Sequence, residues 1–280
     1  MQRWLITYIR NCYNFSPSIE KISIGMSAKD ANVPSRLYKY RHFCSDHKDA
    51  LQRGVLFAAR LGLLNDKFEA SNILNFKPPE KSEYASRLWS QVPDEVLCVL
   101  RKIENDRLSD LSREGMKGFK LLGHERTKVI CLSESKDIEP MWAKYADNDC
   151  GFCIEYDFEK LNSDLYRRVC LPVLYSKKVR NFSGYIRLDR SRNALFGHYA
   201  CSIKHISWSH EREWRMVFSI GDIDDSHQYI MPKPSAIFLG SHVSPENENW
   251  MIVHCRNKQI KLWKRKILPN SFQSQYLEII

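Results

Sequence analysis

Between Trp208 and Phe218 the chain reads Trp-Ser-His-Glu-Arg-Glu-Trp-Arg-Met-Val-Phe, a run with carboxylates and a guanidinium at alternate positions. Read as an extended strand, it places Glu211, Glu213 and Arg215 on one face and Trp214, Met216 and Phe218 on the other. One face is then core and the other chemistry. Same-face neighbours on a strand lie roughly 7 Å apart, so two ionised carboxylates there repel or share a proton unless a cation sits between them. Arg215 is the candidate cation. A surface strand with a charge ladder gives the same pattern, so the neighbouring motifs have to decide between them.

The elements that must position this run follow from local patterning. Residues 1–35 read as an N-terminal extension, with a short amphipathic segment around Trp4, Leu5, Ile6 and Ile9 and then a polar stretch ending at Pro34. Leu37 to Phe43 alternates like a strand, and Ser45 or Asp46 can cap a helix that ends at Gly54. Val55–Ala58 is a short strand, and Asn65-Asp66-Lys67-Phe68-Glu69 is a turn. Residues 78–126 carry helix-spaced apolar positions and form a helical insertion. Val129–Ser133 is a buried strand, Pro140 opens a helix that stops near Asn148, and Gly151–Tyr156 is a further strand. A strand from Val169 to Tyr175, a basic loop, a helix over 192–205, a strand over Ser235–Gly240, a helix after Pro245 and a basic strand over Ile260–Trp263 complete the order. Short strands with helices inserted between them predict one α+β domain over 36–280.

Composition narrows the function classes. The 280 residues carry 43 Lys and Arg against 33 Asp and Glu, a formal charge of +10 that favours an anionic partner. Basic residues gather in two stretches, 177–192 and 256–266, which read as solvated faces or as a nucleic-acid surface. No apolar run reaches the roughly 20 residues of a membrane span and the N-terminus does not pattern as a signal peptide, so a soluble cytoplasmic protein is expected. Nine scattered cysteines fit a reducing compartment rather than a disulfide scaffold. Cys150 and Cys153 form a close pair without a second pair or histidines beside it, so they read as structural thiols and no metal is expected. There is no phosphate-cradling Gly-rich loop, no His-Glu-x-x-His and no Gly-x-Ser-x-Gly.

The ordered pieces Leu-Tyr-Lys-Tyr-Arg (37–41), Asn-Asp-x-Phe-Glu (65–69), Cys-Leu-Ser (131–133) with Met-Trp-x-x-Tyr (141–145) and Gly-x-Cys-Ile (151–154), Trp-x-x-Glu-x-Glu-x-Arg (208–215) and Ile-Phe-Leu-Gly (237–240) resemble the bacterial domain-of-unknown-function family 2971 over residues 36 to 265. Lys67 stands where that family usually has Pro. The same order is similar, more distantly, to the ADP-ribosyltransferase fold, which implies a pair of small antiparallel-rich sheets with peripheral helices. It implies an enzyme that uses NAD as a substrate to modify a protein or nucleic-acid acceptor, as a toxin or phage-defence effector. On this resemblance Glu213 is the catalytic acid, Glu211 its companion, and Ser133 or Tyr145 takes the middle position. Lys39 aligns with the first position and Arg41 offers the same chemistry on the same strand face. Cleaving nicotinamide from ribose passes through an oxocarbenium-like state that a fixed carboxylate stabilises. Lys39, Arg41 or Arg215 would hold the pyrophosphate, and Tyr145, Trp142 or Phe68 would stack on a ring. Two rival readings stand beside it: a non-catalytic nucleotide- or nucleic-acid-binding module of the same fold, and a metal-dependent nuclease with Asp66, Glu69, Glu211 and Glu213 as its carboxylates.

Overall fold

The alternating run Leu37–Arg41 and the buried run Val129–Ser133 form strands in the computed structural model, which describes residues 2–14, 17–64, 66, 127–159, 166, 169–178, 196–218, 227–271 and 273–280. The strands are β1 (Arg36–Arg41), β2 (Val55–Phe57), β3 (Ala59–Arg60), β4 (Lys128–Ser133), β5 (Phe152–Asp157), β6 (Cys170–Pro172), β7 (Leu174–Ser176), β8 (Ile203–His205), β9 (Glu213–Phe218), β10 (Gln228–Ile230), β11 (Ala236–Leu239), β12 (Lys261–Ile267) and β13 (Ser274–Glu278). The helices are α1 (Arg3–Cys12), α2 (Ile19–Asp30), α3 (Ser45–Arg53), α4 (Glu139–Tyr145), α5 (Phe196–Ser202) and α6 (Pro245–Lys258). Phe68, Glu69 and the helical insertion expected over 78–126 lie outside the described residues. No helix among the described residues is long and apolar enough to cross a membrane.

The chain divides into two compact units. The first comprises Met1–Ala28, Arg60–Thr127 and Ser176–Ile203. In it the polar stretch before Pro34 is largely the helix α2. Gly25 on α2 lets α1 approach, because a Cβ there would stand 2.5 Å from the Cys12 sulfur. Tyr8 and Tyr13 share a buried hydrogen bond between their hydroxyls, and Tyr13 stacks on Tyr199 of α5 at 4.3 Å between ring centroids.

The second unit comprises Lys29–Ala59, Lys128–Tyr175 and Lys204–Ile280 and holds the large sheet. Its strands run in the order β13-β12-β11-β5-β1-β4-β9-β6. All neighbours along this path are antiparallel except β11 and β12, which run parallel on either side of α6. The fold is therefore α+β and mostly antiparallel, but among the described residues one large sheet with two separate two-stranded sheets, β2–β10 and β7–β8, stands in place of the expected pair of small sheets. The reason lies in the edges. β5 is paired along β1 on one side and along β11 on the other, so its backbone donors and acceptors are satisfied by continuation of one sheet.

Glycine is required where the chain turns out of α4. Asp147, Asn148 and Asp149 all have positive φ, and the turn packs so closely that a Cβ on Gly151 would stand 2.2 Å from the Arg41 carbonyl oxygen and one on Gly240 2.0 Å from that of Asp149. This contact ties the end of β1, the turn and the end of β11 together. The helix predicted after Phe43 is α3 and ends at Gly54 with φ 69°, as a left-handed cap demands. Its N-cap is Cys44 rather than Ser45 or Asp46, with the sulfur accepting the His47 backbone N–H at 3.4 Å.

Candidate functional site

The run that opened the sequence reading is a strand only from Glu213 onward. Ile206–Glu211 form a 3-10 turn, Arg212 takes the left-handed conformation, and β9 begins at Glu213. Glu211 therefore leaves the strand register and does not lie in a ladder with Glu213. Every residue of β9 is buried, because β4 and β6 flank it and both of its faces are covered. Trp214, Met216 and Phe218 form the expected core face, yet Glu213 and Arg215 are buried as well, at 5% and 1% exposure.

What brings the two carboxylates together is Lys204 on β8. Its ammonium donates to Glu211 Oε2 at 2.6 Å and to Glu213 Oε2 at 2.9 Å. Arg215 donates from Nε to Glu213 Oε1 at 2.8 Å and from Nη2 to Oε2 at 3.2 Å. Burial pushes the Glu213 carboxyl up, but Arg215 and Lys204 outweigh it and hold the group well below the usual carboxylate range. Two buried anions thus meet two buried cations, which is the arrangement that lets charge persist away from water.

Other motif residues converge on Glu211. Tyr145, at the end of α4, donates its hydroxyl to Glu211 Oε1 at 2.7 Å. Ser133, which pairs with Glu213 at the end of β4, donates to the Glu211 backbone carbonyl at 2.7 Å and fixes the 3-10 turn. Tyr175 accepts the Glu213 N–H at 2.9 Å, and burial raises its phenol above the ordinary range. Trp208 lies half-buried beside the cluster, with Lys144 at 3.5 Å and Lys204 at 4.9 Å from its ring centroid.

The cluster thus joins Glu211, Glu213, Arg215, Ser133 and Tyr145. Lys39 stands at its margin: the ammonium donates to the Cys131 carbonyl at 2.6 Å. Loss of hydration, then Arg41, pull its pKa down to about 7 against the opposing pull of Cys131, Glu213 and Glu211. Arg41 follows Lys39 on β1 without a contact to either glutamate among the described residues, and burial lowers its pKa too. Trp142 is core, fully buried and packed edge-on against Tyr40. Lys204 is not marked by the sequence, whose pattern predicts a helix over 192–205; residues 192–195 lie outside the described set, α5 ends at Ser202, and Lys204 is on a strand. Tyr175 is not marked either, and nothing in a period-2 pattern identifies either residue as a partner of a glutamate.

Residues 141–216 match the family model described as Protein of unknown function (DUF2971). The matched span is shorter than the 36 to 265 expected, but it holds Tyr145, Lys204, Trp208, Glu211, Glu213 and Arg215. No curated protein and no solved structure matches the chain.

The other expected features resolve differently. Of the basic stretch 177–192 only Lys177 and Lys178 are described. In 256–266, Arg256, Lys258, Lys261 and Lys266 are exposed, whereas Arg265 is 5% exposed and paired with Glu139 and with Asp149 at 3.0 Å. Arg265 belongs to the core and not to a nucleic-acid surface. For the nuclease reading, Glu69 lies outside the described residues, and the Lys204 ammonium sits between Glu211 and Glu213 where that reading needs a metal.

Proposed function

We propose that this cluster is an NAD-cleaving, ADP-ribosyltransferase-like site in which Glu211 is the carboxylate that faces the reacting sugar and Glu213 is the fixed anion behind it. The observation that carries the proposal is the meeting of Ser133, Tyr145 and Glu211, from three separated motifs, on one buried pair of carboxylates. Glu213 has both oxygens engaged by Arg215 and Lys204. Glu211 also has both oxygens engaged, Oε2 by Lys204 and Oε1 by Tyr145, but its second partner is a half-buried phenol rather than a buried guanidinium, and the half-buried Trp208 lies on the same turn.

The chemistry suits this division. As nicotinamide departs, positive charge grows on the ribose, and an ionised, immobile carboxylate lowers that state more than the ground state. Lys204 orients Glu211 and sets a positive charge beside it. Lys39 and Arg41 would take the pyrophosphate, and Tyr145 or Trp208 would stack on a ring. The acceptor is a protein or a nucleic acid.

The test is nicotinamide release and label transfer from NAD by the purified chain. Glu211→Gln is expected to lower turnover on the order of a hundredfold while the fold survives. Turnover unchanged by Glu211→Gln would overturn the assignment. The balance of two cations against two carboxylates favours one alternative, a non-catalytic nucleotide-binding module, since the cluster is already neutral without substrate. NAD binding with no turnover, in the presence of candidate acceptors, would decide for that alternative.

A further inference from the structure

At the corner between β1 and α3, away from the glutamate cluster, His42, Cys44 and His47 converge. One ring nitrogen of each histidine and the Cys44 sulfur all lie within 4.8 Å of one another. We infer that this corner is a zinc site, with Cys44, His42 and His47 as its protein ligands and water in the fourth position.

The donor set is the first reason. One thiolate and two imidazoles are the ligand types that zinc prefers, and three protein ligands with an open fourth position are a recurring zinc arrangement. Distance is the second. In a tetrahedral zinc site with Zn–N near 2.0–2.1 Å and Zn–S near 2.3 Å, donor atoms stand about 3.3–3.6 Å apart. The side chains must therefore close by about 1 Å from their present separation. His42 is exposed and can supply that movement by a rotation.

The surroundings already hold Cys44 and His47 in place. His47 Nδ1 lies 2.9 Å from the His42 carbonyl, a hydrogen bond that orients the ring as carbonyl partners do for zinc-bound histidines. The Cys44 sulfur accepts the His47 N–H at the first turn of a nine-residue helix, which fixes the sulfur beside the His47 ring. The His42 and His47 rings stand edge to face, 4.5 Å apart between centroids. Sequence reading did not find this set because His-x-Cys-x-x-His matches no paired-cysteine spacing. The strand-to-helix corner brings it together.

Binding replaces the thiol proton: Cys44–SH and Zn²⁺ give a Cys44–S–Zn bond and one released proton. The ion would lock the start of α3 to the end of β1, one residue beyond Arg41. It does not depend on the NAD reading, and its test does not use turnover.

The experiment is zinc titration of the chelator-treated full chain against a chromogenic competitor, repeated with Co²⁺ as a spectroscopic probe. Wild type is expected to bind one equivalent and to show a thiolate-to-cobalt charge-transfer band. Cys44→Ser keeps a good helix cap while removing the thiolate, so it should fold, lose the band and weaken zinc binding by more than about tenfold. His47→Ala should weaken zinc binding similarly, and Cys131→Ser, a half-buried thiol elsewhere, should leave it unchanged. No uptake by wild type, or uptake and a band that persist in Cys44→Ser, would overturn the site.

Discussion

Replacing Lys204 by Met is the sharpest test of how the glutamate cluster is held together. The substitution keeps the length and apolar stem of the side chain and removes its charge. Lys204 is 6% exposed and bonded to both carboxylates, so Arg215 is left to compensate two anions alone. Two carboxylate oxygens about 4–5 Å apart repel by about 3–4 kcal/mol at an effective dielectric near 20, and loss of one partner from a buried ion pair costs about 3–5 kcal/mol. We therefore expect a loss of about 3–5 kcal/mol, or a melting point lower by roughly 6–20 °C for a chain of this size. Urea denaturation followed by tryptophan fluorescence would measure it, since Trp208 and Trp214 lie in or beside the cluster. The pH dependence has a definite sign. Glu213 has a folded pKa below its unfolded value, so in wild type its stabilisation is fully present above the unfolded pKa and is lost as pH falls through the folded one. In Lys204→Met an uncompensated carboxylate takes up a proton more readily when folded, so the deficit relative to wild type should shrink as pH falls from about 7 towards 5. Adding Glu211→Gln to Lys204→Met restores the charge balance around Arg215 and should recover much of the loss. A deficit below about 1 kcal/mol, or a double variant no more stable than the single one, would refute the charge-balance reasoning.

Gly240→Ala should destabilise by about 3 kcal/mol because its Cβ meets the Asp149 backbone, whereas Gly54→Ala, with open space around it but φ 69°, should cost about 1 kcal/mol; a denaturation pair checks the order. Lys39, with a pKa drawn down to about 7, destabilises the fold when protonated, so stability should rise as pH climbs from about 7 towards 10 and Lys39→Met should flatten that rise. If its ammonium also holds pyrophosphate, NAD binding near pH 8 should take up a proton, seen as a calorimetric enthalpy that depends on buffer. Arg265→Met should cost about 3 kcal/mol by leaving Asp149 buried without its cation. Reversing Lys258, Lys261 and Lys266 to Glu should change stability by only about 0.5 kcal/mol each, so these positions report on nucleic-acid binding through its salt dependence.

Local elements were legible in the sequence because they rest on short-range physics. The alternation of Leu37–Arg41, the β-branched run before Ser133, Pro140 at a helix start and Gly54 at a helix end each encode a backbone conformation with no help from distant residues. Part of the site was legible for the same reason: Glu213, Arg215 and the apolar face of β9 follow from a period of two. Alternation names a side of a strand, but it does not say whether that side is covered, so the burial of Glu213 and Arg215 waited for β4, β6 and the rest of the sheet. A continuous pattern through Glu211 likewise hid the left-handed break at Arg212, which depends on Ser133 capturing the Glu211 carbonyl from another strand. Lys204 became a partner only when β8 and β9 came together, and a buried carboxylate pair needs such a cation whatever the sequence spacing. The chain by itself determined which segments are strands and helices; pairing among segments far apart in sequence decided which charges meet, and so where chemistry can occur.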